Sequence, residues 1–431
     1  MNDKTTRFER VLPELFTELA VPRTPDYLEA AIDTASSRRQ RPAWTFPERW
    51  LPMQITTQAA PVARMPWRQL AILAVLGLLV AIAAAVVAGA PQQRPAPLFG
   101  PAANGALVLS REGDIVAFDR ASGRVTPLIT GTEVDTDPMH SADGTQLVFK
   151  RRIEGRPGEA LMVAKADGSG VRQITDPMLS LRGFSFSPDG RSMLVTTTSD
   201  NKTQIDIVPT DGKGEARRLA IPGPLDPDVV PLWHPVDGRE LLLIQFGLNG
   251  VGRSVVAFDV ATGAVRTIAP GTDDLDYWAG IWSPSGDRVL GGRTQQSNDT
   301  VSAAVFTADG RSEDALGVDW RPGNIISVSG WSQHGTRLIV GQADRETGAN
   351  SASTVLTPDG SRPPVRLACG TPDTGLCPEG WAWSPDDTLL VGPIRTGDVV
   401  TGYVTADPDT GTITPLALEG DGELSFQRLA P

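Results

Sequence analysis

A four-residue phrase, Ser-Pro-Asp-Gly or a worn copy of it, returns with a period of roughly 47 residues through most of this 431-residue chain, and that period leaves few folds open. The full copy is Ser187-Pro188-Asp189-Gly190. Variants stand at Ser141-Ala142-Asp143-Gly144, His234-Pro235-Val236-Asp237-Gly238, Ser283-Pro284-Ser285-Gly286, Ser332-Gln333-His334-Gly335 and Ser384-Pro385-Asp386-Asp387. Proline at the second position presets φ, aspartate tolerates the bridge or left-handed region, and glycine accepts the positive φ that closes a hairpin. An alternating run such as Gly183-Phe184-Ser185-Phe186 precedes the turn, and an aliphatic run such as Leu241-Leu242-Leu243-Ile244 follows it. A third run ends near Asp and Gly, as in Val256-Ala257-Phe258-Asp259 before Thr262-Gly263. A short fourth follows, as in Val265-Arg266-Thr267-Ile268. Four strands joined by tight turns make one antiparallel propeller blade.

Six turns are visible, yet the chain from Asn104 begins in mid-unit. Leu107-Val108-Leu109 matches the second strand of a blade, Ile115–Asp119 the third and Val125–Ile129 the fourth. The missing first strand appears at the other end as Leu424-Ser425-Phe426-Gln427. The expectation is an all-β, seven-bladed propeller over residues 103–431, its first blade completed by the C-terminal strand so that no sheet edge is left open. The departures at Val236, Ser285, His334 and Asp387 are expected to weaken single turns without disturbing the period.

The aromatic-Ser-Pro-Asp-Gly phrase resembles the TolB-like propellers, relatives of the WD-repeat proteins, over about residues 102–431. That resemblance implies a binding or scaffolding surface, because such rings serve many partners.

Ahead of the ring, residues 70–90 contain no polar side chain. As a helix they would reach about 31 Å, enough to span the hydrocarbon core of a bilayer. Arg64 and Arg68 flank the front, Trp67 stands at the interface and Pro91 ends the run. The basic bias places the N-terminus in the cytoplasm and the propeller outside, at the plasma membrane. Ala88-Gly89-Ala90 resembles a processing site, the rival reading. The long polar leader and the length of the apolar run favour a retained anchor. Residues 52–69 and the Pro-rich residues 91–102 read as linkers.

Charge follows the same division. Residues 1–68 carry a net +2, and the remainder must hold −14 of the chain's −12 total. An acidic ring argues against nucleic acid and suits an external face. Cys369 and Cys377, the only cysteines, both fall in that external part, where an oxidising compartment favours pairing.

Residues 1–51 read as a short α-helical cytoplasmic segment with an aromatic tail. Phe8, Leu12, Leu15, Phe16 and Leu19 form an apolar stripe at helical spacing, and Thr24-Pro25 opens a second helix. Trp44, Phe46 and Trp50 follow without helical spacing. Two short helices bury too little to be stable alone, so the segment is expected to dock on a protein partner or lie on the membrane surface. The layout is similar to that of membrane anti-sigma factors, whose short cytoplasmic helices capture a sigma factor, although residues 1–68 hold none of the zinc-binding His and Cys of many such domains. The likeness implies signal transduction across the membrane; an anchored scaffold or envelope-binding module is the alternative.

Catalytic signals are sparse. His140, His234 and His334 fall at the inner-strand ends or turns of alternate blades and read as turn and packing residues. No Gly-x-Ser-x-Gly elbow, Walker loop or calcium-loop spacing occurs, so the expectation is a non-catalytic ring without metal or cofactor. One candidate site remains. The loops between blades carry Asp135, Asp137, Asp226, Asp228, Asp273, Asp274, Asp276 and Asp373, with Trp278, Trp320 and Trp381 in or beside them. An acidic rim with aromatics suits cations, sugars or a basic peptide, although Asp also simply favours solvated turns.

Overall fold

The computed structural model describes Pro97 and residues 100–430, apart from 200–201, 228–229, 248–251, 317–323, 345–349, 369–377, 379 and 397–398. The apolar run 70–90, the stripe from Phe8 to Leu19, the aromatics Trp44, Phe46 and Trp50, and both cysteines lie outside the described residues. Among the described residues no helix is long and apolar enough to cross a membrane.

Seven four-stranded antiparallel sheets form seven blades. Blade 1 is closed as expected: the C-terminal strand Leu424–Leu429 lies against Ala103–Arg111, with Leu107 opposite Phe426 and Leu109 opposite Leu424. Blades 2 to 7 run in chain order, and their innermost strands begin with Val134–His140 and end with Ala382–Trp383. The aliphatic second strands sit deepest, because they are covered on both faces. Leu147, Val148 and Phe149 of blade 2 and Leu241 of blade 4 have essentially no exposed surface.

The core is a ring of seven clusters, one at each junction between blades. Leu107, Leu109 and Phe118 of blade 1 meet Val391 and Tyr403 of blade 7. Leu242, Val255 and Ala257 of blade 4 meet Tyr277, Trp282 and Phe306 of blade 5. Each large side chain buried this way contributes about 1.5–3 kcal/mol, so stability is spread around the ring rather than held at one centre.

The repeated turn works as its sequence dictates. Ser187 Oγ donates to Asp189 Oδ1 at 2.6 Å and accepts from Ser192 N at 3.0 Å, and the same pair recurs at Ser141 and Ser384. Gly144, Gly190, Gly238, Gly286 and Gly335 all take φ between 61° and 73°. At Gly144 a side chain is also excluded by space, because a Cβ there would lie 1.8 Å from the Arg428 carbonyl oxygen.

The carbonyl of this fourth turn residue is then gripped by the preceding blade. Gln146 Nε2 reaches Gly190 O at 2.9 Å, Arg288 Nη2 reaches Gly335 O at 2.7 Å and Arg337 Nη2 reaches Asp387 O at 2.8 Å. Both guanidinium groups lie 5.0 Å from the ring centre of a tryptophan, Trp331 and Trp383 respectively.

Candidate functional site

The inter-blade loops do gather on one face, but most of their described carboxylates are committed to neighbouring strands. Asp135 opens the inner strand of blade 2, is buried, and receives Nε and Nη2 of Arg151, both at 2.7 Å. Burial pushes its carboxyl up, against the pull of Arg151. Asp137, at φ 52°, pairs with Lys150 at 2.7 Å.

Arg253, opening the third strand of blade 4, stands between two rim residues. Its Nη1 lies 2.6 Å from Asp226, while Nε and Nη2 lie 3.0 and 2.6 Å from Asp276. The hydrogen bonds it donates to Asp276 lead in raising the guanidinium's pKa. At Asp276 burial works upward, but the bonds from Arg253 outweigh it and hold the carboxyl below its ordinary value. Asp274 accepts from Ser297 N at 2.7 Å and from Gln295 Nε2 at 3.0 Å, which lowers its pKa as well. Asp273 is exposed; Asp228, Asp373 and Trp320 lie outside the described residues. Trp381 is buried, its Nε1 donating to Ser353 Oγ at 3.0 Å, and Trp278 is half-buried. These carboxylates brace loops to strands. Among the described residues no three His, Cys, Asp or Glu side chains converge as a metal site.

The face that carries these loops holds a concavity that the sequence does not announce. A cavity of about 320 Å³ lies between the inner strands of blades 6 and 7 and the start of the C-terminal strand. Ser327, Ser329, Trp381, Pro393 and Glu423 line it. Ser327 Oγ is buried without a hydrogen-bond partner, a costly arrangement that a bound polar group would relieve. Glu423 is held in place by an ion pair with Arg395. The wall needs ring closure, because Glu423 and Ser327 are nearly a hundred positions apart. No local pattern could have marked it.

The histidines sit at the turn ends of blades 2, 4 and 6, as expected. His140 ends the inner strand of blade 2, His234 packs edge-on against Trp282 with ring centres 4.9 Å apart, and His334 lies in the turn of blade 6. They do not converge: each reaches the adjoining blade, and His234 also pairs with Asp237 of its own turn at 3.0 Å.

Comparison with known proteins bears on the fold and on catalysis. No family model matches the chain. Over 99 residues, 22% of this chain, it is 32% identical to the uncharacterized peptidase YuxL of Bacillus subtilis, and it spans only 15% of that relative's length. Among solved structures, the periplasmic gluconolactonase PpgL of Pseudomonas aeruginosa is 16% identical with a TM-score of 0.52, the match covering 75% of this chain and 99% of that one. A puromycin-hydrolyzing peptidase of Mycobacterium tuberculosis is 19% identical with a TM-score of 0.51, covering 75% and 52%. TolB from Acinetobacter baumannii is 15% identical with a TM-score of 0.43, covering 75% and 66%. The expectation of a non-catalytic ring is corrected by this likeness to a chain named as a peptidase. The missing Gly-x-Ser-x-Gly elbow carried that expectation, but the chain matches only a small part of the peptidase relative, and a motif absent from a matched part says nothing of the activity. The chain has a seven-bladed β-propeller fold.

Proposed function

We propose that this chain is a single-pass membrane protein whose ring binds a small polar ligand outside the cytoplasm, while residues 1–51 hold a regulatory protein on the other side, in the manner of an anti-sigma factor. The cavity at the junction of blades 6, 7 and 1 carries the reading. It is concave, partly apolar through Trp381 and Pro393, and supplied with Ser327 and Glu423 as convergent polar groups, the usual make-up of a ligand site. The apolar run 70–90 and the basic flank supply the anchor and its orientation.

Two measurements test it. Protease added to intact spheroplasts should remove the ring and leave a membrane-bound N-terminal stub; a protected ring would refute the orientation. Ligand-observed screening of the full chain against a metabolite library should give hits that Ser327→Val and Glu423→Gln weaken together.

A second reading, in which the ring handles the substrate of a hydrolase, is favoured by the 99-residue likeness to a peptidase. Release of chromophore from aminoacyl or dipeptidyl nitroanilides by the full chain separates it from pure binding.

A further inference from the structure

Two departures from the repeat meet in space. Blade 6 places His334 where Asp189 stands in the full copy of the turn, and blade 7 places Asp387 where Gly190 stands. Asp387 keeps the left-handed backbone of the missing glycine, at φ 61°, a conformation that disfavours any residue with a side chain. Its buried carboxylate reaches back into blade 6. There it accepts from the backbone N–H of Gln333 at 2.5 Å, from that of His334 at 2.8 Å, and from His334 Nδ1 at 2.6 Å. One carboxylate thus serves the turn whose own aspartate is gone.

The exchange has a chemical product. A neutral His334 carries its proton on Nδ1, facing Asp387, which leaves the Nε2 lone pair on a side chain 55% exposed. The repeat's own aspartate and glycine would close both turns without backbone strain and without an outward-facing imidazole. A purely structural role therefore does not explain the pair.

The imidazole opens on a cavity of about 530 Å³ shared by blades 5, 6 and 7. Arg288, Arg337 and Arg362 line it together with the carboxylates Asp359 and Asp409, so three guanidinium groups face two carboxylates. Arg288 and Arg337 are pre-set by their carbonyl clips and tryptophan faces. Arg337 is further tied to Asp409 at 2.9 Å, whereas Arg362 is 69% exposed and approaches Asp409 only at 3.9 Å. Guanidinium groups match the paired oxygens of carboxylate and phosphate, and a histidine lone pair asks for an O–H.

We propose that this cleft binds a small hydroxylated anion, a molecule carrying a hydroxyl beside a carboxylate or phosphate. Arg288 and Arg362 meet the anionic oxygens, and His334 Nε2 accepts the hydroxyl proton. The site is separate from the cavity beside Ser327 and stands or falls independently of it.

Titration calorimetry on the full chain tests the assignment with glucuronate and glucose 6-phosphate as probes for the two anion types. Glucose offers hydroxyls without charge; acetate and inorganic phosphate offer charge without the hydroxyl. At least one hydroxylated anion should bind tenfold or more tightly than glucose and than its matching simple anion. The double variant H334D/D387G restores the repeat in both blades. It should melt no lower than the wild type and lose at least tenfold in affinity. Equal binding of the probes and their fragments overturns the proposal, as does unchanged affinity in the folded double variant. If that variant does not fold, Arg362→Gln decides: its side chain is largely exposed, and unchanged affinity there is equally fatal.

Discussion

His140 and Ser425, 285 positions apart in the chain, are joined across the seam of the ring: the backbone N–H of His140 donates to Ser425 Oγ at 3.0 Å, and the same hydroxyl lies 3.1 Å from His140 Nδ1. Which of the two donates depends on the imidazole tautomer; the other ring nitrogen, Nε2, is buried without a partner. The neighbouring blades hold Phe186, Trp233, Trp282, Trp331 and Trp383 at this position, so the histidine does the work of a packed aromatic where the C-terminal strand meets blade 2.

The burial of His140 should make the ring acid-sensitive. Burial lowers the His140 pKa from 6.5 to about 4. Below pH 6.5 the unfolded chain accepts a proton that the folded ring refuses until about pH 4. The stability is therefore whole above pH 6.5 and is lost as pH falls through that window, by up to about 1.4 kcal/mol per unit. Melting curves from pH 7.5 to 4.5 should fall more steeply for the wild type than for His140→Phe. Parallel curves would show that the imidazole is not the titrating group.

Ring closure should be a large fraction of the stability of blade 1. Removing residues 422–431 strips the strand Leu424–Leu429 from Ala103–Arg111 and uncovers Leu107 and Leu109, both fully buried. It also removes Arg428, whose Nε reaches Ala142 O at 2.8 Å and whose Nη2 reaches Gly100 O at 2.6 Å. The expected cost is about 4 kcal/mol or more, with association through the open edges. Calorimetry and light scattering on the truncated chain check it; a melt equal to that of the full chain would mean the blades close another way.

Arg253 should be the least replaceable of the loop-face cations. Arg253→Met leaves Asp226 and Asp276 facing each other without the guanidinium that now lies 2.6 Å from each. Loss of about 3 kcal/mol is expected, the cost of stranding buried charge rather than the worth of the pair. Asp273→Asn, on an exposed side chain of the same loop, should change stability by less than about 0.5 kcal/mol. Equal effects in urea unfolding would mean that the rim carboxylates are simply solvated.

What could be read from the sequence was what the chain decides locally. The turns follow from Ser, Pro, Asp and Gly within four positions, and the strands from runs such as Leu241–Ile244, so blade number and C-terminal closure were legible. The loop aspartates were legible as loop residues but not as ion-pair partners: Arg253 of blade 4 reaches Asp276 of blade 5 from 23 positions away, and only blade stacking sets that distance. His334 and Asp387 looked like two independent blemishes. They are one device, because the turn of blade 7 lies beside that of blade 6 in the ring, 53 positions along the chain. Registry between blades is set by packing of whole sheets and leaves no mark in either four-residue phrase.

The cysteines supply a chemical test of compartment. A Cys369–Cys377 bridge would close a nine-residue loop and add about 2.5 kcal/mol by loop entropy. Mass spectrometry without reduction, on protein isolated from its native cells, should show the linked peptide. Two alkylatable thiols would argue against an oxidising surrounding for the ring.

The last prediction concerns residues 1–51. Phe8, Leu12, Leu15, Phe16 and Leu19 recur at helical spacing, and Trp44, Phe46 and Trp50 add aromatic surface of the kind that anchors interfaces. A segment this short cannot hide that much apolar surface from water by itself. Cross-linking of the full chain in cells should therefore capture a cytoplasmic protein, a transcription regulator if the anti-sigma layout is meaningful. Leu15→Asp together with Phe16→Asp should abolish the capture while leaving membrane insertion and the melting of the ring unchanged. If the wild-type chain captures nothing and a peptide of residues 1–51 binds anionic vesicles instead, the stripe lies on the membrane surface and the signalling assignment falls with it.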